Sequence, residues 1–243
     1  MKKRILNTEI EFAGYAELKQ LILAKAVSGE KYSVTYANSH VCISALNNTA
    51  LNNSICKFDL VHPDGIAVHA AHKFLYRPGN AAVRVNGTDL YEILFKEGEG
   101  LNCFILGSSP AAAGNLNQKK DNKLKICGQL SDPDDGKAVG IINNSGADIL
   151  FVALGTPIQE QWIINNRDAV NIPVIMATGS GIDIISGKKN RAPLMMRKAG
   201  LEWLFRLFSE PGRLWKRYLI MNPVFIFKVI VQKLKLNQKH GNT

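Results

Sequence analysis

Asp64 lies in His62-Pro63-Asp64-Gly65, directly after the apolar pair Leu60-Val61. Pro63 fixes the backbone ahead of the carboxylate, and Gly65 permits close approach behind it. A carboxylate at such a loop apex can take a proton from an attacking hydroxyl. It can equally cap the helix that follows. Arg84 opens Arg84-Val85-Asn86-Gly87-Thr88-Asp89-Leu90, where Thr88 or Asp89 suits a helix cap. Its guanidinium can stabilise charge on a phosphate leaving group or can simply face solvent. Gln159 and Glu160 follow Gly155-Thr156-Pro157-Ile158. A Gln offers both a donor and an acceptor, as needed to read sugar hydroxyls or a base. A Glu near a helix start also satisfies the helix dipole without any ligand.

Strands and helices in alternation must position these groups. Apolar runs predict strands at Tyr32–Ala37, Asn102–Leu106, Lys125–Gln129, Asp148–Leu154 and Pro173–Ala177. Between them, helices are expected near Ser39–Leu51, Gly65–Phe74, Thr88–Glu97, Pro110–Asp121, Asp135–Asn143 and Ile158–Asp168, with Asp134-Asp135 as a polar turn and helix start. The continuous apolar runs at 148–154 and 173–177 fit strands covered on both faces. The expected fold is therefore α/β, a mostly parallel Rossmann-like sheet flanked by helices. Ligands of such sheets bind beyond the carboxyl ends of the strands. The loops there begin at Gly107, Gly155 and Gly179, small residues that let a phosphate approach the backbone. None of them matches GxGxxG or GxxxxGK[ST], which speaks against a Rossmann dehydrogenase or a P-loop NTPase.

The chain of 243 residues carries 30 Lys+Arg and 20 Asp+Glu. The excess lies entirely in the last quarter: Gly187–Thr243 holds 13 basic and 2 acidic residues, a net of +11, against −1 for the first 186. Residues 1–186 are expected to form the catalytic body and 187–243 a basic, amphipathic helical appendage. Leu201, Leu204, Phe205 and Phe208 recur at helical spacing, and Glu210-Pro211-Gly212 then interrupts the helix. Arg213, Lys216 and Arg217 should share the next helical face, beside Leu214, Trp215 and Tyr218. Basic residues among apolar ones suit an anionic bilayer interface. Packing on the body and nucleic-acid binding compete with that reading, although no nucleic-acid motif is present. No apolar window approaches the roughly 18 residues of a membrane span, and the N-terminus lacks the apolar run of a signal peptide. Cys42, Cys56, Cys103 and Cys127 lie far apart and read as reduced, mostly buried thiols. His69 and His72 lie three apart on an expected helix, spacing that suits either paired ligands or ordinary helix packing.

Six elements, in order along most of the chain, resemble the WecG/TagA/CpsF family of bacterial glycosyltransferases. They are Asn38 after the first strand, Pro63-Asp64-Gly65, Gly87-Thr88-Asp89-Leu90, Gly155-x-Pro157-x-Gln159-Glu160-x-Trp162, Arg191-Ala192-Pro193, and Leu201-Glu202-Trp203-Leu204-x-Arg206-Leu207-x-x-Glu210-Pro211. The resemblance implies an inverting transferase that needs no metal or other cofactor. It would move a sugar, N-acetylmannosamine or a related hexose, from a UDP-sugar to a polyprenyl-diphosphate-linked saccharide. The place would be the cytoplasmic face of the bacterial membrane, in cell-surface polysaccharide synthesis. Asp64 would be the general base. Thr35, Asn38, Arg84, Gly107, Gly155, Gln159, Glu160 and Gly179 would bind substrate. Arg191, Arg206, Arg213, Lys216 and Arg217 would hold the acceptor diphosphate or the anionic membrane. The family has Thr two residues before the Asn, whereas this chain has Tyr36 there and Thr35 one earlier, on the other side of a strand. Lys216 replaces a frequent Arg and loses its bidentate fork. A non-catalytic, membrane-associated binder of nucleotide sugars or anions is the alternative. Self-association is left open.

Overall fold

A computed structural model describes residues 1–77, 84–133 and 136–241. Strands β1 (Lys2–Ile5) and β2 (Thr8–Glu11) form an antiparallel hairpin. Helix α1 (Tyr15–Ser28) leads into β3 (Tyr32–Ala37), α2 (Ser39–Asn47), α3 (Thr49–Ile55), β4 (Leu60–Pro63), α4 (Ile66–Tyr76) and α5 (Gly87–Glu97). Then come β5 (Asn102–Leu106), α6 (Pro110–Asn117), β6 (Lys125–Leu130), α7 (Ala138–Asn143), β7 (Ile149–Val152), α8 (Ile158–Asn166), β8 (Val174–Ala177) and α9 (Gly181–Ile185). The C-terminal segment contains α10 (Leu194–Lys198), α11 (Glu202–Ser209), α12 (Pro211–Trp215), a π-helical turn at Lys216–Met221 and α13 (Asn222–Gly241). The expected turn at Asp134-Asp135 lies outside the described residues.

The large sheet has six strands in the order β4-β3-β8-β7-β5-β6, all parallel. The expected Rossmann-like α/β architecture is therefore present. Successive side chains of a strand face opposite ways, and β7 divides accordingly. Leu150 and Val152 join one buried cluster with Val41, Val68 and Phe225. Ile149 and Phe151 join the other with Ile22, Leu90 and Ile182. Helices thus cover both faces, which is why β7 and β8 read as unbroken apolar runs.

The N-terminal hairpin, α1, β4 and the short helices α9 and α10 escaped the sequence reading. The β1–β2 hairpin buries only Ile5, Thr8 and Ile10, too few residues for a pattern. Helix α1 buries Leu18, Ile22 and Ala26, a single narrow stripe. Strand β4 is four residues ending in His62-Pro63, all buried. The single helix expected at 39–51 is two, because the Asn48 side chain accepts from Leu51 N (3.0 Å) and starts α3 afresh.

The C-terminal segment packs on the body. Phe225 and Val229 of α13 lie in the first cluster. Gln232 bonds the hairpin through Leu6 N (2.9 Å) and Arg4 O (3.0 Å), and Lys233 Nζ donates to Leu75 O of α4 (2.8 Å). Two of the four free cysteines, Cys56 and Cys127, are exposed, where burial of most was expected; each lies at a turn or on the sheet's edge strand. His69 and His72 are buried, and His72 stacks on Phe12 at 3.8 Å. Among the described residues no group of three His, Cys, Asp or Glu could hold a metal ion.

Candidate active site

The carboxyl ends of β4, β3, β7 and β8 open into a cavity of about 910 Å³, roofed by the C-terminal segment. Asp64 borders it, at the end of β4. Its backbone N–H continues the ladder by donating to Ala37 O (2.8 Å). Its carboxylate accepts from Asn38 Nδ2 at 3.3 Å through Oδ2 and from Gly87 N at 2.9 Å through Oδ1. The helix that Asp64 touches is therefore α5 and not the one that follows it. The α4 start is Gly65, without a side-chain cap. A carboxylate at the α5 N-terminus meets the positive end of the helix dipole and a free N–H. The α5 cap itself is Asn86, whose side chain accepts from Thr88 N (2.9 Å), not Thr88 or Asp89.

Asn38 serves two elements. Its Oδ1 accepts from Val41 N (3.0 Å) and caps α2, which turns its Nδ2 toward Asp64. Tyr36, two residues earlier on β3, also lines the cavity. Thr35 does not: it is fully buried, as the alternation of the strand requires.

Gly155 and Gly179 line the cavity, but Gln159 and Glu160 stand behind its wall and are fully buried. Gln159 Oε1 accepts from Gly155 N (3.2 Å) and Gly179 N (2.9 Å), tying the loop after β7 to the loop after β8. Its Nε2 donates to Tyr36 Oη (3.2 Å) and Glu160 Oε1 (2.8 Å). Glu160 also accepts from Thr156 Oγ1 (3.0 Å), while its Oε2 and the Thr35 hydroxyl lack a well-formed hydrogen bond. Burial raises the Glu160 carboxyl above its usual range, against the hydrogen bonds from Gln159 and Thr156. Gly179 is needed at its position: its φ is +52°, and a Cβ there would lie 2.7 Å from Tyr36 Oη. Gly107 lies away from the cavity. A Cβ on it would meet Leu154 at 2.6 Å, so its smallness serves packing between the β5 and β7 loops.

Arg84, Arg206, Arg213 and Arg217 all line the cavity. Arg84 donates to the Arg197 carbonyl, and Arg206 donates to Ser180 Oγ (2.7 Å). Arg217 lies over the Tyr218 ring at 5.6 Å. Among the described residues none of these three is ion-paired to a carboxylate. Arg213 instead pairs with Glu210 (2.5 Å). Arg191 and Lys216 do not line the cavity. Arg191 holds Glu92 (2.7 Å) and Asp89 on α5, and Lys216 lies over Trp215 at 5.5 Å. Arg213 and Arg217 thus share the cavity side, as expected, and Lys216 does not; the chain passes from α12 into the wider π-helical turn at Lys216.

The sequence reading also missed Tyr36, His40, Asn86, Glu202 and Trp203, all of which border the cavity. Glu202 accepts from Asn86 Nδ2 (2.8 Å), and burial raises its carboxyl, with Arg206 acting against the rise. Its signal was its place in Leu201-Glu202-Trp203, beside Arg206. Burial, and then the nearby Arg217 charge, push His40 down to about 4, so that it is neutral at physiological pH.

A parallel sheet with a cavity at its strands' carboxyl ends, lined by Asp64, Glu202 and several arginines, defines an α/β protein with a charged site where such sheets bind ligands. Residues 3–239 match the model of the glycosyl transferase WecG/TagA/CpsF family. The match spans nearly the whole chain, and the protein belongs to that family.

Proposed function

We propose that the cavity transfers a hexose, N-acetylmannosamine or a related sugar, from a UDP-sugar to a polyprenyl-diphosphate-linked saccharide. One observation carries this reading. Asp64, held by Asn38 and the Gly87 N–H, borders the same cavity as Arg84, Arg206 and Arg217, none of which forms an ion pair with a carboxylate among the described residues. Opposite charges facing one cavity without a direct ion pair between them suit a reaction that takes a proton at one point and releases a phosphate at another.

In the proposed step, Asp64 accepts the proton of the acceptor hydroxyl. The freed oxygen attacks the anomeric carbon as the bond to the UDP oxygen breaks, and the electron pair leaves with the diphosphate. Arg84, Arg206 and Arg217 stabilise the charge that grows there. Neutral His40 and Asn86 offer hydrogen bonds to sugar hydroxyls without competing for the anion. Gln159 and Glu160 act from behind the wall, Gln159 by holding the Gly155 and Gly179 amides in place. Thr35 supports Glu160 from β3. Gly107, Arg191 and Lys216 serve the framework and the outer surface rather than the reacting groups.

The segment 187–243 acts as the roof of the site and as a membrane contact. Phe208, Leu219, Phe227 and Leu234 are 58–76% exposed, and Lys216, Lys228 and Lys235 stand among them. Exposed apolar side chains with interleaved lysines suit docking on an anionic bilayer. No helix of the described residues is long and apolar enough to cross a membrane; the contact in this reading is an interfacial one, at the cytoplasmic face.

The test is a thermal-shift screen of UDP-sugars, followed by transfer to a synthetic prenyl-diphosphate sugar. One or more UDP-sugars should raise the melting temperature and should donate their sugar. Absence of both stabilisation and transfer across hexose and N-acetylhexosamine donors would contradict the reading.

A further inference from the structure

The cavity has two chemically different ends. The inner end carries Asp64, Arg84, Arg206 and Arg217. From there the space runs outward between α4 and α13. On α4 the wall is Ile66, Ala67, Ala70 and Phe74, which recur on one helical face. On α13 it is Ile226, Val229 and Ile230. None of these side chains can form a hydrogen bond, so this stretch cannot satisfy a nucleotide or a sugar. Its rim is left open: Phe74 is 47% exposed, Ile226 57% and Ile230 44%. Both helices are fixed in place. Lys233 Nζ holds Leu75 O at 2.8 Å, and Ser39 Oγ donates to Asn222 Oδ1 at 2.6 Å, so the groove is a built feature of the fold.

We propose that the α4–α13 groove seats the first isoprene units of the lipid-linked acceptor. The proposal rests on the transferase reading and names which part of the acceptor lies where. Two observations select this occupant. The groove is continuous with the reacting end, so whatever fills it is joined to a group at Asp64. The Arg84 guanidinium stands beside the groove wall, since a Cβ on Gly200 would lie 3.1 Å from both Arg84 Nη1 and Ile66 Cγ1, and there a prenyl diphosphate would change from anion to hydrocarbon. The alanines of α4 leave room for a chain, and the branched side chains of α13 close over it. The chain then leaves past Ile230, on the same helix that exposes Phe227 and Leu234.

The experiment uses water-soluble acceptors carrying the same diphosphate sugar on one, two or three isoprene units, without vesicles or detergent. Burying a methylene is worth up to about fourfold in affinity. The wild-type KM for acceptor should therefore fall at least tenfold from one unit to three. Ala70→Phe fills the groove from an exposed position, and Ile230→Asn makes its rim polar with a smaller change of shape. In each variant the KM ratio between the one-unit and three-unit acceptors should collapse toward one. A ratio that persists in both variants would overturn the proposal, as would a wild-type KM indifferent to chain length. In either case transfer itself would survive, and only the groove would be lost. Failure of every acceptor with every UDP-sugar would instead remove the transferase reading, and the groove with it.

Discussion

The cavity roof and the seam along α5 are both rich in arginine, and they use its charge in opposite ways. At the seam, Arg191 grips Asp89 and Glu92, and Arg197 reaches Asp89 at 3.5 Å. Lys189 and Arg213 share Glu210 farther along the segment. These pairs fasten the segment to α5 and to itself. In the cavity, Arg84, Arg206 and Arg217 form no ion pair among the described residues: they contact a carbonyl, a hydroxyl and a ring, with Glu202 and Asp64 acting on Arg206 only at longer range. Holding several guanidinium groups in one cavity without direct ion pairs is unfavourable unless an anion comes to them. The net charge of a segment therefore says little about ligand binding. What matters is which cations the fold has already paired.

Substitutions on the two sides of this comparison should separate cleanly. The largest effect belongs to the carboxylate facing the unpaired cations. Asp64→Asn keeps one acceptor oxygen, for Gly87 N or for Asn38 Nδ2 but not both, so the melting temperature should fall by no more than the loss of one hydrogen bond, about 1 kcal/mol, would cause. Steady-state transfer should fall by about 10²–10⁴-fold. Turnover near wild type would remove Asp64 as the base.

Next come the arginines themselves. Arg206→Ala should lower kcat by roughly 10²–10³-fold, as loss of a charge-stabilising donor does, with little loss of stability. Arg191→Ala should do the reverse. It removes the bridge between Asp89, which keeps Arg197, and Glu92, which keeps Lys96, at a cost of about 1 kcal/mol, and lowers the melting temperature by a few degrees. Its kcat at a temperature where it is folded should stay within a few-fold of wild type. If the two variants exchanged these phenotypes, the division between fastening and binding arginines would be wrong.

The smallest effect is behind the wall. Burial raises the Glu160 carboxyl, so the folded protein holds that proton more tightly than the unfolded chain does. The contribution of Glu160 to stability is then full below the ordinary value of 4.5 and declines as pH rises through the raised folded value. In Glu160→Gln the group no longer titrates. Thermal melts should show the variant gaining on wild type as pH increases across that window. A constant difference at all pH values would mean that folding does not raise the Glu160 carboxyl.

Much of this architecture is legible in the residues. Strands β3 and β5 were readable end to end, since their apolar runs are bounded by turn residues. Asp64 was readable because Pro63 and Gly65 isolate it at a strand end. Three things were not legible, for physical reasons. Sheet neighbours are set by long-range pairing, so nothing local says that Gly107 belongs to the closed side and Gly155 to the open one. Helix α8 begins on a loop, and only the tertiary fold determines that Gln159 turns inward to bind two backbone amides. The turn from α12 into a π-helix redirects side chains within one stretch, which sequence spacing alone treats as regular. Arg217 thus reaches the cavity, while Lys216 lies against Trp215.

The central claim is a single displacement with Asp64 as the only carboxylate acting on the reacting groups. Proton NMR of the product formed from an α-linked UDP-sugar tests it directly, through the coupling at the new anomeric centre or, for a manno sugar, its one-bond carbon–proton coupling. The account predicts a β-linked product, with the configuration inverted. An α-linked product would require two displacements or a different mechanism and would contradict it.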